Sequence, residues 1–484
     1  MWLEKFIFWL KGSRLPQKWE RWCIFTGESI VAGYLLASLG LGVLFKSKAD
    51  TIEGFLVANR NMGTWLLAFT FGATYFSSVV IVVGGMWGYL WGTWSLVIPV
   101  LNVILGVLVT FKLIGSRISV LGHKLKALTI PELLARVHGS KGLQVYLGSM
   151  AAIGLTLYAA TVVAGASVML ATVLGLSLTS SAVILVSIIA AYVVLSGMYG
   201  IVWTDALQGI VMATGVALLA GAAVSIAGTK QVALQSTLET TRFPGLDLLF
   251  DIALITSIAV WGLPQMLNRF YTVREKKVVD RASLIALGFA TIVTFGSYIS
   301  GILARSILGS VPAPKVVPLM AESLLGPWGA ALIAAAIIAA SMSTMDSIGL
   351  TVGSSVAYDV LGRRDVSSVR LVSSLVMLGV LGVVIAMFNA PSSLSHTLTS
   401  VFKLGWSITG IAFIPPVLSM VTGRGTRRSV IAGSLAGAAV VLLYGLSGLA
   451  GLALPLRHLS FTLALTVSLI VSLLPRGGGE GWPS

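Results

Sequence analysis

Long apolar runs separated by short polar stretches make up most of this sequence. Runs long enough to cross a hydrocarbon layer of ~30 Å fall near 24–45, 65–92, 93–114, 143–173, 178–199, 202–228 and 247–268. Six more fall near 283–308, 328–357, 368–389, 396–420, 429–450 and 457–475. The pattern predicts an all-α polytopic membrane protein with about thirteen transmembrane helices. No soluble domain is expected, since the longest hydrophilic stretch is the one around 115–142. Within it, Thr129-Ile130-Pro131-Glu132 reads as a helix start, with Thr as N-cap and Pro in the first turn. The stretch 311–326 carries Pro312, Pro314 and Pro318 ahead of a helix-like run and reads as a short gate or lid.

Two runs carry signals that interrupt a helix. The run 65–92 holds Gly72, Ser77, Ser78, Gly84 and Gly85, and a break is expected around 73–78. The run 247–268 holds Gly262-Leu263-Pro264. Proline removes a backbone donor and disfavours helix at the residue before it. Counted from the second run, these are the first and sixth of ten helices, the spacing a five-plus-five inverted repeat requires. Such a repeat would divide the chain into 65–228 and 247–420, with an extra helix at 24–45 before it and two helices at 429–475 after it. Ordinary kinking by Gly and Pro, common in membrane helices, is the plainer alternative.

The most unusual polar cluster lies at 339–347, Ala-Ala-Ser-Met-Ser-Thr-Met-Asp-Ser, deep in the run 328–357. Polar groups at that depth are costly unless they are used. On a helix, Ala340, Ser343 and Thr344 share one face. Two hydroxyls and a carbonyl freed by Ser/Thr back-bonding make an uncharged oxygen half-shell, suited to a desolvated Na⁺. Packed against the break at 73–76, this face would complete a five-oxygen site. Its donors would be the carbonyls of Ala73, Phe76 and Ala340 and the hydroxyls of Ser343 and Thr344. Small residues and hydroxyls also serve simply to pack membrane helices together. Both readings stand at this level.

Composition agrees with the apolar pattern: 56% of the 484 residues are hydrophobic and 10% charged. The net charge of +15 could suggest nucleic acid, but its distribution excludes that reading. Alternate loops beginning with 46–64 hold 21 Lys and Arg, and the opposite loops hold 5. This asymmetry places the first group in the cytoplasm, the N-terminus outside and the C-terminus inside. Residues 1–23 disagree, with Lys5, Lys11, Arg14, Lys18 and Arg21 mixed among aromatics. They read as an interfacial helix lying on the bilayer, and not as a signal peptide. Cys23 is the only cysteine, so one chain can form neither a disulfide nor a cysteine metal site. Four histidines are scattered without ligand spacing, and 476–484 read as a disordered tail.

From about residue 50 to about 440 the sequence resembles the sodium:solute symporter family. Glu53 to Arg60 resembles that family's Phe-x-x-Ala-Gly-Arg segment. Val202-Trp203-Thr204-Asp205-Ala206-Leu207-Gln208 is similar to its Trp-Thr-Asp-x-x-Gln motif. Gly262-Leu263-Pro264 through Arg269-Phe270 resembles its Gly-x-Pro-His…Arg-Phe stretch, with Gln265 in place of His. Ser341 to Ser347 is close to its Met-Ser-Thr-x-Asp-Ser core, and Gly423 to Gly433 resembles a further glycine-containing region. Five such matches in order are specific. The resemblance implies a LeuT-type inverted-repeat fold, Na⁺-coupled uptake by alternating access, and a sodium site at Ala73, Phe76, Ala340, Ser343 and Thr344.

Several positions depart from the family pattern. Tyr75 stands where proline-transporting members carry Asp, Ser196-Gly197 replaces a Gly-Gly pair, and Lys403 sits in a normally neutral or aromatic place. Lys403 could pair with an anionic solute, substitute for a cation, or snorkel to an interface. Asp205 reads either as an N-cap at the start of a span or as an ion gate. Asp346, one turn beyond Ser343, could assist ion exit or hydrogen-bond within the packing.

The expected protein is therefore a secondary transporter, not an enzyme, because no nucleophile–base pair or His/Asp/Glu cluster lies at a membrane face. It would sit in the cell membrane and work as a monomer, carrying Na⁺ together with a small organic anion (a monocarboxylate or pantothenate-like acid) or an amino acid. Solute contacts are expected from Tyr75, Ser77, Ser78, Trp261 and Gln265. Proton coupling, Na⁺-independent transport and a transporter-like sensor are the alternatives.

Overall fold

The structure is a computed structural model and describes residues 17–229, 243–390, 394–449, 452 and 454–473. Of the segment 1–23, residues 1–16 lie outside the described residues, and Gln17 already opens helix α1 (Gln17–Leu44). The tail 476–484 also lies outside them.

Every apolar run is helical. The first core run is two helices, α2 (Thr64–Tyr75) and α3 (Ser78–Trp91). After a bend at Gly92, α4 (Val97–Leu101) continues as a π-helix through Gly115 and as a helix to Lys124. A short helix, α5 (Ile130–Val137), precedes α6 (Lys141–Leu174) and α7 (Leu178–Thr229). Then follow α8 (Leu246–Ser257), α9 (Pro264–Leu267), α10 (Lys276–Leu308), α11 (Val316–Ser354) and α12 (Val366–Phe388). The last three are α13 (Leu394–Thr422), α14 (Arg427–Leu449) and α15 (Ser460–Leu473).

Among the described residues, eight helical segments are long and apolar enough to cross a membrane, or nine with the bent pair Leu246–Gly262 and Pro264–Thr272. Two of the eight join two apolar runs across a bend. In α7 the bend is at Gly197, whose φ of 52° suits glycine and whose Cβ, if present, would meet the backbone and ring of Phe55. Glu28–Leu44 and Ser460–Leu473 are shorter apolar helices.

The expected helix start at Thr129 forms as a cap. Its hydroxyl accepts from Glu132 N at 3.2 Å, and the Glu132 carboxylate accepts from Leu128 N at 2.8 Å. The stretch 311–326, read as a short gate or lid, forms a 3-10 turn at Ala313–Lys315 and the first turns of a long helix. It runs directly into α11, with only a kink at Gly326 ahead of Pro327. α11 is the central strut of the fold, and every residue from Ile333 to Ser354 is buried against α1, α2, α3, α6, α7 and α12. A helix apolar all round is expected where neighbours cover all its faces. Of its hydroxyls there, Ser343 and Thr344 reach the backbone of another helix, Ser347 and Thr351 meet the side chains of Arg269 and Asn268, and Ser341 and Ser354 bond back to their own helix.

Candidate functional site

Both expected interruptions are present. α2 ends at Tyr75, Phe76 is non-helical (φ −96°, ψ 81°), and Ser77 is extended and caps α3 by accepting from Val79 N at 3.3 Å. The last helical bond of α2 runs from Phe76 N to the Gly72 carbonyl. The carbonyls of Ala73, Thr74, Tyr75 and Phe76 thus have no intrahelical donor. In the second span, Leu263 is extended ahead of Pro264, and the two halves meet at 57°.

The Ser/Thr face of α11 lies against the end of α2. Ser343 Oγ donates to the Ala73 carbonyl at 2.7 Å and stands 3.2 Å from the Ala340 carbonyl. Thr344 Oγ1 donates to the Thr74 carbonyl at 3.1 Å and stands 3.0 Å from the Ala340 carbonyl. Five oxygens from two helices thus converge: three carbonyls and two hydroxyls, all fully or almost fully buried. Four of the five expected residues meet here. The fifth, Phe76, stands at the non-helical end of α2 with its ring packed on Tyr75 and Phe289, and Thr74 adds a further carbonyl contact. Sequence reasoning missed Thr74 because the helical rotation that selects one carbonyl over another is not written in residue types.

Beside this cage lies the gap between the half-helices. Tyr75 donates to the Thr256 carbonyl at 2.8 Å, and Trp261 Nε1 donates to the Leu105 carbonyl at 2.9 Å. These two of the five expected solute contacts are therefore engaged with backbone. Ser77 and Ser78 stand at the N-terminus of α3. Gln265 is buried with its Oε1 unpaired. Tyr158 was not foreseen: its buried hydroxyl lies beside Ser77 and Thr344 without completing a hydrogen bond. Its ring packs edge-on against Trp406, at 4.6 Å between centroids. Lys403 lines a cavity of about 390 Å³ together with Tyr444 and His458.

Asp205 is not an N-cap. It lies within α7, eight residues beyond the Gly197 bend, and forms a fully buried ion pair with Arg269 at 2.9 Å while accepting from Thr70. Arg269 also donates to the Thr74 hydroxyl at 2.9 Å and to Ser347. Asp346 accepts from Tyr192 at 3.0 Å and from its neighbour Ser347. The two acids thus close a polar cluster next to the oxygen cage, which it meets at Thr74. Among the described residues no group of three or more His, Cys, Asp or Glu could hold a metal.

The sequence profile of the sodium:solute symporter family matches residues 55–437. The chain belongs to the sodium:solute symporter family. It is a Na⁺-coupled solute symporter, not an enzyme, and a multi-pass protein of the plasma membrane. It is 29% identical to the sodium/pantothenate symporter of Haemophilus influenzae over 320 residues, 62% of this chain and 64% of that one. It is 24% identical to the high-affinity proline transporter PutP of Bacillus subtilis over 433 residues, 84% of this chain and 90% of that one. Among solved structures, a Na⁺-coupled sialic acid symporter in a substrate-bound outward-open state superposes with a TM-score of 0.76 at 17% identity. That match covers 92% of this chain and 96% of the other. The fold is that of the LeuT-type transporters.

Proposed function

We propose that one Na⁺ binds at the oxygen cage, held by the carbonyls of Ala73, Thr74, Phe76 and Ala340 and the hydroxyls of Ser343 and Thr344. The observation that carries this reading is that both hydroxyls reach across from α11 to orphan carbonyls at the end of α2. Each hydroxyl has one proton and two lone pairs. Turned away from its α2 carbonyl, the proton leaves a hydroxyl lone pair and that carbonyl for the cation. Sodium then fixes the distance between α2 and α11, favours the outward-open state and orders the adjacent gap. Each Na⁺ entering along a 100 mV potential contributes about 2.3 kcal/mol, enough for roughly fifty-fold accumulation of a neutral solute.

The solute sits in the gap, against Tyr75, Ser77, Ser78, Trp261, Gln265 and Tyr158. The N-terminus of α3 favours a carboxylate. The unpaired Gln265 oxygen suits a hydrogen-bond donor elsewhere on the molecule. A small organic acid bearing an amide, amine or hydroxyl meets both demands. Pantothenate-like acids and amino acids are the leading classes, in keeping with the names of the relatives. Asp205 and Asp346 lie on the ion's path to the cytoplasm. Lys403 is a gating candidate at the cavity that it lines with Tyr444 and His458. We further read the chain as thirteen crossings in a bilayer, the N-terminus outside and the C-terminus inside, with repeats at 65–228 and 247–420 and a monomer as the working unit.

Uptake of radiolabelled pantothenate and of amino acids into proteoliposomes, with and without an inward Na⁺ gradient, tests the reading. Gradient-driven accumulation of one of them is expected. Sodium-indifferent uptake would point to proton coupling or facilitated transport and refute the cage.

A further inference from the structure

The outer half of the second broken span is fastened to the last helix of the chain. Asp247 and Asp251 stand one turn apart on α8, so their side chains share a face. Asp251 is fully buried. Its Oδ1 accepts from Thr462 N at 2.9 Å and from Thr462 Oγ1 at 2.7 Å. The first amides of a helix have no partner within it, and Thr462 lies in the first turn of α15. A carboxylate from one helix therefore caps another across the fold, with its charge at the positive end of the helix dipole. Asp247 adds a second tie, 2.6 Å from His458 Nε2 in the turn before α15.

The other end of α8 borders the solute gap. The Ile255 carbonyl accepts from Trp406 Nε1 at 2.9 Å, and the Thr256 carbonyl accepts from Tyr75. Five residues of helix, about 7 Å, separate the Asp251 anchor from these contacts. Any swing of α8 that opens or shuts the gap is thus levered against α15. On its far side α15 packs against α14. The cavity lined by Lys403, Tyr444, His458 and Ser460 lies beside the exposed Asp247–His458 tie and gives it room to move. The family profile ends at residue 437, before this helix begins.

We propose that Asp251, supported by Asp247, is a positioning residue of the transport cycle, and that α15 is the fixed stop against which the outer half of the broken span swings. This deepens the transport reading and depends on the Na⁺ response proposed above. The test uses Na⁺ alone as ligand. In full-length protein in proteoliposomes, Cys23→Ser removes the only native cysteine, and Ile258→Cys places a probe at the inner end of α8. The labelling rate with a membrane-impermeant maleimide is measured across a Na⁺ titration.

Asp251→Ala is expected to change the labelling rate at saturating Na⁺ at least fivefold, with the Na⁺ midpoint unchanged within twofold. Asp251→Asn keeps an accepting oxygen and should restore most of the parental rate. Thr462→Val should move the rate in the same direction, and adding it to Asp251→Ala should change nothing more. A merely structural role would lower the yield of folded protein and leave the labelling rate of the folded fraction alone. Labelling within twofold of the parent in both Asp251→Ala and Thr462→Val overturns the proposal, and Thr462→Val alone decides if Asp251→Ala does not fold. If labelling of the parent ignores Na⁺, the coupling reading and this inference fall together.

Discussion

Thr74 touches Arg269 and the proposed sodium cage at once. Its hydroxyl accepts from the Arg269 guanidinium at 2.9 Å, while its carbonyl accepts from Thr344 at 3.1 Å. One residue at the end of α2 thus joins the neutral oxygen cage to the buried ion pair beside it. Arg269 is tied, through one residue, to the peptide that carries a proposed ligand carbonyl.

Thr74→Val removes the hydroxyl, keeps the carbonyl and nearly preserves volume. The hydrogen bond lost is of the order of 1 kcal/mol, which corresponds to about a fivefold change in an equilibrium constant. The Na⁺ concentration for half-maximal uptake should rise by about that factor. An unchanged midpoint would show that the ion pair and the cage work independently.

Ser343→Ala and Thr344→Ala each remove one proposed ligand and leave an α2 carbonyl without its donor. Each should raise the Na⁺ midpoint about tenfold, for a loss of about 1.4 kcal/mol. The double variant should lose Na⁺ dependence altogether. Thr344→Ser retains the oxygen and should stay near the parent. Uptake against Na⁺ concentration in proteoliposomes reads all four. A midpoint that stays put in both single variants would move the ion elsewhere.

What the sequence could show here was chemistry carried by neighbours along the chain. Gly-Leu-Pro at 262–264 breaks a helix by local sterics, and the i, i+3, i+4 spacing of Ala340, Ser343 and Thr344 fixes a shared face whatever lies opposite. The Thr129 cap was legible for the same reason. Partners distant along the chain were not. Asp205 beside the apparent start of a span looks like an N-cap, and only the bend at Gly197, eight residues earlier, places it inside a helix facing Arg269. Tyr158 sits in an apolar run that any core aromatic would fit. Its unpaired hydroxyl is a property of the neighbours, not of the run. That the Thr74 carbonyl meets Thr344 depends on helical rotation to within a residue, which hydropathy does not encode.

Outside the membrane, His138 follows α5 with its Nδ1 2.8 Å from the Leu134 carbonyl. Burial lowers its pKa below the usual histidine value of 6.5. The unfolded chain therefore binds a proton that the folded chain resists. The sign follows: stability is fully present above about pH 6.5 and is lost as pH falls below that value. Lowering the pH from 7.5 to 5.5 should depress the melting temperature of the parent more than that of His138→Asn. Equal depression in both would remove His138 from the acid response.

Arg269→Gln should be among the most damaging single changes in the protein. It leaves Asp205, wholly buried, without its counter-ion, and Oδ1 of that carboxylate already lacks a partner. Removing one member of a buried ion pair costs about 3–5 kcal/mol, because the remaining charge is stranded in a poorly polarisable interior. Asp205→Asn strands the guanidinium in turn, although Thr74, Ser347 and Met198 still accept from it. The milder loss is therefore expected on that side. The double variant Asp205→Asn/Arg269→Gln carries no stranded charge, and its amides can bond to each other and to Thr70. It should melt above Arg269→Gln alone, with a coupling energy of at least 1 kcal/mol in a double-mutant cycle. Additive losses would mean that the two charges stabilise the fold separately, and that the pair does not act as a unit beside the sodium cage.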